Sequence, residues 1–318
     1  MGDGDANRLR CAAGRGDGSV SASVAVSAHR PHRTRDEVLA LRWLLTPLAL
    51  WLLVFLVIPL AFILIYSFTR DAGMTLGRGG WGLDQYQRLL QVVIYRKVFL
   101  RSVFVGLEAA VLTLLIGYLP AYYMSRVSPR ARSLLLLLLI MPFWTPYIIR
   151  IFAWMLILST NGVLNKVLLG LGLVTQPLDL LYTRGAVLIG LVYSGLPFMI
   201  LPIYATLSRI DNGLYEAAMN LGATETQAFF EITVPLSLPG VWAGSIMTFI
   251  MAAGSFLAPA ILGGPEQIMI SQVIASRFMQ LLDWPLGAAL AGLYVLLTVA
   301  IVVAANRVVT LQAAFRLR

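Results

Sequence analysis

Residues 186–208 read AVLIGLVYSGLPFMILPIYATLS, an apolar stretch without a single charged side chain. About 20 such residues in a helix cross the hydrocarbon core of a bilayer. Five further apolar stretches lie at residues 43–68, 102–124, 133–158, 239–262 and 286–306, of which the second contains one charged residue, Glu108, and the third one, Arg150. Lipid-embedded backbone has to satisfy its own hydrogen bonds, so each stretch is expected to be helical. The sequence therefore predicts an all-α, polytopic membrane protein with six transmembrane helices.

The overall composition supports a membrane protein. Hydrophobic residues make up 59% of the chain and charged residues 12%, whereas soluble domains contain about half and about a quarter. The net charge of +9 does not indicate a nucleic-acid partner, because the basic residues lie mainly in an N-terminal tail and in loops between apolar stretches. The expected surroundings are a lipid bilayer.

The chain divides into two predicted regions. Residues 1–40 mix Gly, Ala, Ser, Arg and Asp without periodicity, which predicts a disordered tail, and residues 41–318 form the six-helix domain. Six spans place both termini on one side. Arginine and lysine are more frequent on the side that holds the N-terminus, so both termini are predicted to be cytoplasmic. The basic segment at residues 70–101 predicts an interfacial amphipathic helix before the second span.

Several classes of chemistry are excluded by where the rare residues lie. Cys11, His29 and His32 all fall in the N-terminal tail, which leaves no histidine or cysteine in the membrane domain for a metal, a haem or a nucleophile. No GxxxxGK[ST] sequence is present, so the chain has no phosphate-binding loop of its own. We expect no catalytic residue, no metal site, no cofactor and no ATPase site in this chain.

The most informative connection between the apolar stretches is the loop at residues 209–238. It begins RIDNGLYEAAMNLGATETQAFFEITVP. Asp211 or Asn212 is suited to cap a short helix. Gly222 is suited to end that helix in a left-handed backbone conformation.

A second short helix is predicted to follow. Thr224 and Gln227 have the spacing of a capping box, and Pro235 and Pro239 are expected to end the helix and begin the next span. Two such helices make a compact apolar knob outside the bilayer. The knob fits a docking surface for another protein, and it equally fits an amphipathic helix that lies on the membrane.

The residue pattern of this loop resembles that of a known family. E-A-A-x3-G-x9-I-x-V-P is formed by Glu216, Ala217, Ala218, Gly222, Ile232, Val234 and Pro235. It resembles the EAA loop of binding-protein-dependent ABC importer permeases, E-A-A-x3-G-x9-I-x-L-P, with valine for leucine as the one departure. The resemblance implies a type I importer permease fold. It also implies that this loop forms the coupling helices, with Glu216, Ala217, Ala218 and Gly222 in contact with an ATPase subunit.

Further segments resemble the spermidine/putrescine, PotB-like branch of this family. They are residues 141–154, 162–165, 180–183, 197–198, 261–265 and 284–288. Pro146 stands where that branch has a small polar residue. The resemblance implies a bacterial inner-membrane permease for a polyamine. Its implied partners are ATP-binding cassette ATPase subunits, a second, PotC-like permease and an extracytoplasmic substrate-binding protein.

Two alternatives stay open from the sequence. An importer permease of the same class for iron, sulfate, molybdate or another organic cation keeps the loop and changes the cargo. A stand-alone secondary carrier or channel needs no partners, and its loop has no reason to match the coupling pattern.

The polar and aromatic residues inside the spans are candidates for a substrate pathway. Glu108 and Arg150 lie on consecutive predicted spans and either pair with each other or line a cavity, since intramembrane charges are commonly functional. Trp144 and Tyr147 lie beside two prolines of the third span, and their ring faces suit a polyamine cation. Packing at a membrane interface is the alternative role for both rings.

Overall fold

A computed structural model describes residues 45–70 and 80–315. The predicted disordered tail, residues 1–40, lies outside the described residues. The chain divides into two units, and the boundary along the sequence falls between Phe55 and Leu56. In the first unit the described residues are helical, and the rings of Trp51 and Phe55 lie 4.2 Å apart.

The second unit is built from helices and short connections. Its α-helices, in chain order, are α1 Ile58–Ser67, α2 Asp84–Gln91, α3 Val93–Arg126, α4 Pro129–Ile140, α5 Tyr147–Leu158, α6 Val163–Gly170, α7 Arg184–Leu207, α8 Asn212–Asn220, α9 Glu225–Ala228, α10 Val234–Ala253, α11 Leu257–Leu262, α12 Ile270–Met279 and α13 Trp284–Phe315. Short 3-10 or π turns at Met141–Trp144, Phe229–Thr233 and Pro265–Gln267 connect some of them. Within the described residues there is no β-strand, and two isolated bridges join Thr69 to Trp81 and Tyr182 to Gly263.

In the part of the chain that the structure describes, six helices are long and apolar enough to cross a membrane, which confirms the predicted number of spans. They are Leu45–Ser67, Val93–Arg126, Tyr147–Gly170, Arg184–Leu207, Glu225–Ala253 and Trp284–Ala304. The first, fourth and sixth predicted stretches coincide with these helices to within two residues, and the second helix begins nine residues before its predicted start. The third and the fifth differ more.

The third predicted span, residues 133–158, is not one continuous helix. It runs as α4, a 3-10 turn at Met141–Trp144, and then α5. The backbone of Thr145 is extended, with ψ 142°, because the ring of Pro146 disfavours a helical conformation at the preceding residue. The break therefore lies at Pro146.

The fifth predicted span, residues 239–262, lies too far toward the C-terminus. The helix extends from Glu225 to Ala253, and α11 is separate. At the break, a Cβ atom on Gly254 would lie 2.5 Å from the Tyr294 hydroxyl oxygen, and that hydroxyl donates to the Ile250 carbonyl at 2.9 Å. The Tyr294 side chain of the last span thus lies directly against the backbone at the end of this helix.

The segment before the second span also differs from its prediction. The separate helix is α2, and the basic residues after it belong to α3, which begins at Val93 rather than near Ser102. Residues 71–79 lie outside the described part. The interfacial helix predicted over 70–101 is therefore two elements, one short helix and the first turns of a long one.

The centre of the bundle is formed by α3, α7 and α10, which pack closely through small residues. A Cβ atom on Gly240 of α10 would lie 2.6 Å from the Pro202 carbonyl oxygen of α7. Only glycine permits that approach, as is common between membrane helices. Met199 and Ile203 of α7 are fully buried at the same contact. The loop between α7 and α10 is therefore connected to the tightly packed part of the bundle.

Candidate functional site

The first half of the 209–238 loop folds as the sequence predicts. Asp211 is the N-cap of α8, and its carboxylate accepts a hydrogen bond from the Gly213 N–H at 2.9 Å. Gly222 follows the helix with φ +90°. A Cβ atom there would meet nothing within 4 Å, so the backbone conformation rather than lack of space requires glycine.

The second half agrees with its prediction at the start and departs from it at the end. Thr224 and Gln227 form the capping box: the Gln227 N–H donates to the threonine hydroxyl at 3.3 Å, and the Thr224 N–H donates to the glutamine side chain at 2.9 Å. Pro235 and Pro239, however, do not end the helix. It continues from Glu225 through the π turn Phe229–Thr233 into α10.

The π turn explains why proline is tolerated there. In a regular α-helix the ring of Pro235 would collide with the carbonyl of Glu231, four residues earlier. Here the Val234 N–H bonds to the Phe229 carbonyl, five residues back. The extra residue in this turn shifts the hydrogen-bond register just before the proline. The second loop helix and the fifth span are consequently one continuous rod.

The loop presents an exposed apolar knob. Its largest exposed apolar side chains are Leu214, Met219, Leu221 and Phe230, of which Leu221 is 89% and Phe230 62% exposed. Of the residues predicted to contact an ATPase subunit, Glu216, Ala217 and Gly222 are exposed and Ala218 is half-buried. Ile232 and Pro235 are half-buried at the base of the knob. Exposed apolar groups of this size mark an interaction surface.

A cluster of aromatic residues attaches the knob to the second span, and sequence reasoning missed it. The Phe229 ring packs edge-on against Tyr122 and Tyr118, with centroids 5.2 and 6.2 Å away. The guanidinium of Arg126 lies 5.4 Å from the Tyr122 ring centroid and 4.8 Å from that of Tyr215. The signal was present in the sequence: positions 118, 122 and 126 are four residues apart and so lie along one face of α3.

Glu108 pairs with a residue other than the one predicted. Arg184, at the start of α7, donates to the Glu108 carboxylate from Nε at 3.0 Å and from Nη2 at 2.5 Å. Pairing between Glu108 and Arg150 was therefore the wrong alternative. Arg184 lies just before the predicted span at residues 186–208, and its contact with Glu108 depends on the packing of α7 against α3.

Arg150 lies among aromatic rings. Its guanidinium is 4.1 Å from the Phe143 ring centroid, 5.6 Å from that of Tyr147 and 6.0 Å from that of Tyr193. Its Nε and Nη1 are buried, and neither has a hydrogen-bond partner among the described residues. Of the two rings that the sequence predicts to face a polyamine cation, Trp144 and Tyr147, the arginine therefore lies over Tyr147 alone.

An intramembrane cavity of about 470 Å³ adjoins this arginine. Its lining includes Tyr147, Arg150, Ser194 and Ser255, and the hydroxyls of Tyr147 and Ser255 lie 3.5 Å apart. Trp144 is outside this lining and is 74% exposed. Of the four predicted pathway residues, the structure brings Tyr147 and Arg150 together and places Glu108 and Trp144 elsewhere.

Comparison with known proteins gives a family match over most of the membrane domain. Residues 113–313 match the family described as the binding-protein-dependent transport system inner membrane component. The chain is 39% identical over 239 residues to the spermidine/putrescine transport system permease protein PotB of Escherichia coli (strain K12), which covers 75% of this chain and 86% of that protein. The Haemophilus influenzae protein of the same name is 39% identical over 254 residues, covering 80% and 88%.

A solved structure is similar in fold. One chain in the crystal structure of a bacterial alginate ABC transporter, in complex with an alginate pentasaccharide-bound periplasmic protein, superimposes with a TM-score of 0.67. The match covers 86% of this chain and 94% of that one, at 21% identity. At that identity the likeness bears on the fold alone.

Proposed function

The chain belongs to the binding-protein-dependent transport system inner membrane component family, as a multi-pass permease subunit of an ABC importer, and we propose that its cargo is a polyamine such as spermidine or putrescine. The observation that supports this cargo is the 39% identity, over three quarters of the chain, to permeases named for spermidine and putrescine. The alginate transporter has a similar fold, so the fold by itself does not specify a cargo.

We further propose that ATP-binding cassette ATPase subunits dock on the knob formed by α8 and α9. The exposed side chains Leu214 and Leu221 would supply the apolar contact, and Glu216 would pair with a basic residue of the ATPase. Ala217 and Ala218 would allow close approach, since they add little bulk. The chain has no ATPase site of its own in this proposal, and hydrolysis takes place in the partner.

For the substrate pathway we propose that Glu108 meets an ammonium group of the cargo. Its present partner, Arg184, is half exposed, so a polyamine nitrogen can compete for the same carboxylate. Tyr147 would reach the cargo only after Arg150 leaves its ring face, which makes Arg150 part of the pathway as a group that has to move. Trp144 would meet the cargo from outside the 470 Å³ cavity.

The remaining partners follow from the same assignment. A second, PotC-like permease would complete the transmembrane pathway, and an extracytoplasmic substrate-binding protein would deliver the cargo. Both termini would be cytoplasmic, in accord with the distribution of arginine and lysine. The knob would then face the compartment that holds ATP.

Two alternatives make different predictions. A permease of the same class for iron, sulfate, molybdate or another organic cation would purify with the same partners and respond to a different cargo. A stand-alone carrier or channel would move solute without an ATPase.

The experiment that tests the proposal is purification of the tagged chain in mild detergent. The co-purifying subunits are identified, and ATP hydrolysis is measured with binding protein loaded with spermidine or putrescine. Recovery of an ATPase and a second permease, with hydrolysis stimulated by the polyamine-loaded protein, is the expected result. Stimulation by another cargo alone would overturn the polyamine assignment. Transport by the isolated chain in liposomes would overturn the coupling assignment.

A further inference from the structure

The exposed helix α8 has few attachments to the membrane domain through its own side chains. Leu214, Glu216, Ala217 and Met219 are exposed, whereas Tyr215 is half-buried. The Asp211 carboxylate at its N-terminus bonds within the loop itself. A helix that protrudes in this way can pivot about its two ends unless a side chain holds it against the bundle.

One such side chain is Arg126, the last residue of α3. Its guanidinium carbon lies 4.8 Å from the ring centroid of Tyr215 on α8 and 5.4 Å from the ring centroid of Tyr122 on α3. An arginine guanidinium is planar and stacks on aromatic faces, and the attraction is electrostatic because the ring face is negative. Arg126 thus bridges two aromatic rings that belong to different elements.

Tyr122 is also the contact point for the second half of the loop. The Phe229 ring meets it edge-on, with an interplanar angle of 84°. Both halves of the loop therefore reach the same side chain of the second span, one through Arg126 and the other through Phe229. The second span packs against α7 and α10 at the centre of the bundle, so a displacement received at Tyr122 is applied to the tightly packed helices.

We propose that Arg126 is a positioning residue that ties the first coupling helix to the second span, so that movement of the docked α8 is transmitted through Tyr215, Arg126 and Tyr122. This inference rests on the proposed coupling function. It assigns a role to residues that the family pattern E-A-A-x3-G does not contain. Without this tie, α8 would follow the ATPase while the second span stayed behind.

The test uses the complete importer in liposomes, with loaded binding protein outside and ATP inside, and measures polyamine uptake and phosphate release together. For Arg126→Gln we expect the complex to assemble and ATP hydrolysis to continue, with uptake per ATP reduced about tenfold. Tyr215→Leu should give the same loss. Tyr215 lies in α8, outside the six spans, so its substitution should leave membrane insertion of the chain unchanged. Tyr215→Phe keeps the ring face and should restore the wild-type ratio.

Arg130→Gln is the matched control, because it removes the same charge from a residue that is likewise exposed and lies four positions further along, in the first turn of α4. The double variant Arg126→Gln/Tyr215→Leu should be no worse than either single variant, since both remove one interaction. A wild-type ratio of uptake to hydrolysis in Arg126→Gln would overturn the inference, and so would an equal loss in Arg130→Gln. A wild-type complex without ATP-dependent uptake would instead overturn the proposed function.

Discussion

Replacement of Gly222 separates two reasons for having glycine in the coupling loop. Its φ of +90° lies in a region that costs an ordinary L-residue about 1–2 kcal/mol. Asparagine tolerates left-handed conformations better than alanine does, and a β-branched residue tolerates them worst. About 1.4 kcal/mol is a factor of ten in an equilibrium constant. Gly222→Ala should therefore lower the population of molecules with the native loop conformation, and with it the rate of coupled uptake, by about five- to thirtyfold. Gly222→Asn should lose clearly less, and Gly222→Val should lose more.

The order of the three variants decides between backbone conformation and contact. A Cβ atom at Gly222 meets nothing within 4 Å among the described residues, so crowding against them does not produce a loss. If instead the ATPase lies directly on this glycine, the larger asparagine should be worse than alanine. The assay is polyamine-stimulated ATP hydrolysis and uptake by the reconstituted complex, with expression in the membrane as the control. Alanine outperforming asparagine would refute the conformational argument and favour direct contact.

Three further perturbations probe other parts of the molecule. Thr224→Ala removes the cap of α9 and should lower local helix stability by about 0.5–2 kcal/mol. The measurement is hydrogen exchange, which should become faster at the first amides of α9. Thr224→Ser keeps the hydroxyl and should change the exchange rate little. Glu108→Gln leaves Arg184 without its charged partner. If Glu108 contacts the cargo, the KM of uptake for polyamine-loaded binding protein should rise severalfold. An unchanged KM would limit the Glu108–Arg184 pair to a structural role. Gly240→Val places methyl groups against the Pro202 carbonyl, 2.6 Å from the new Cβ atom, and should destabilise the bundle by at least about 1–3 kcal/mol, measured as loss of monodisperse protein on heating in detergent.

Local rules explain the parts of the site that the sequence predicts well. Helix capping depends on contacts within one helical turn. The roles of Asp211, Gly222 and the Thr224–Gln227 pair can therefore be predicted from their spacing alone. The number of spans can be predicted in the same way, because the length of each apolar stretch is read directly from the sequence. Prediction of the fold class and of the two short helices in the 209–238 loop therefore required no tertiary information.

Tertiary packing decides the parts that the sequence did not predict. Glu108 was considered as a partner for Arg150 because the two lie on consecutive spans, but α3 packs directly against α7, and this brings Arg184 to the carboxylate. Arg150 instead finds its partners among aromatic rings, one of which, Tyr193, lies on α7. Charge and order along the chain do not encode which helices become neighbours.

The failure of Pro235 to end its helix has a mechanical consequence. Because the π turn carries the helix past the proline, α9 and the fifth span form one rod, and any rotation of the docked α9 turns that span directly. The first half of the loop has no such continuity: α8 is joined to α7 by a turn at Ser208–Asp211 and held at its side by Arg126. One docking event would therefore drive the fifth span through backbone and the second span through side chains. Arg126→Gln should accordingly weaken only the route from α8 to the second span and leave the backbone route from α9 to the fifth span intact, whereas Tyr122→Leu should also remove the contact of the second span with Phe229.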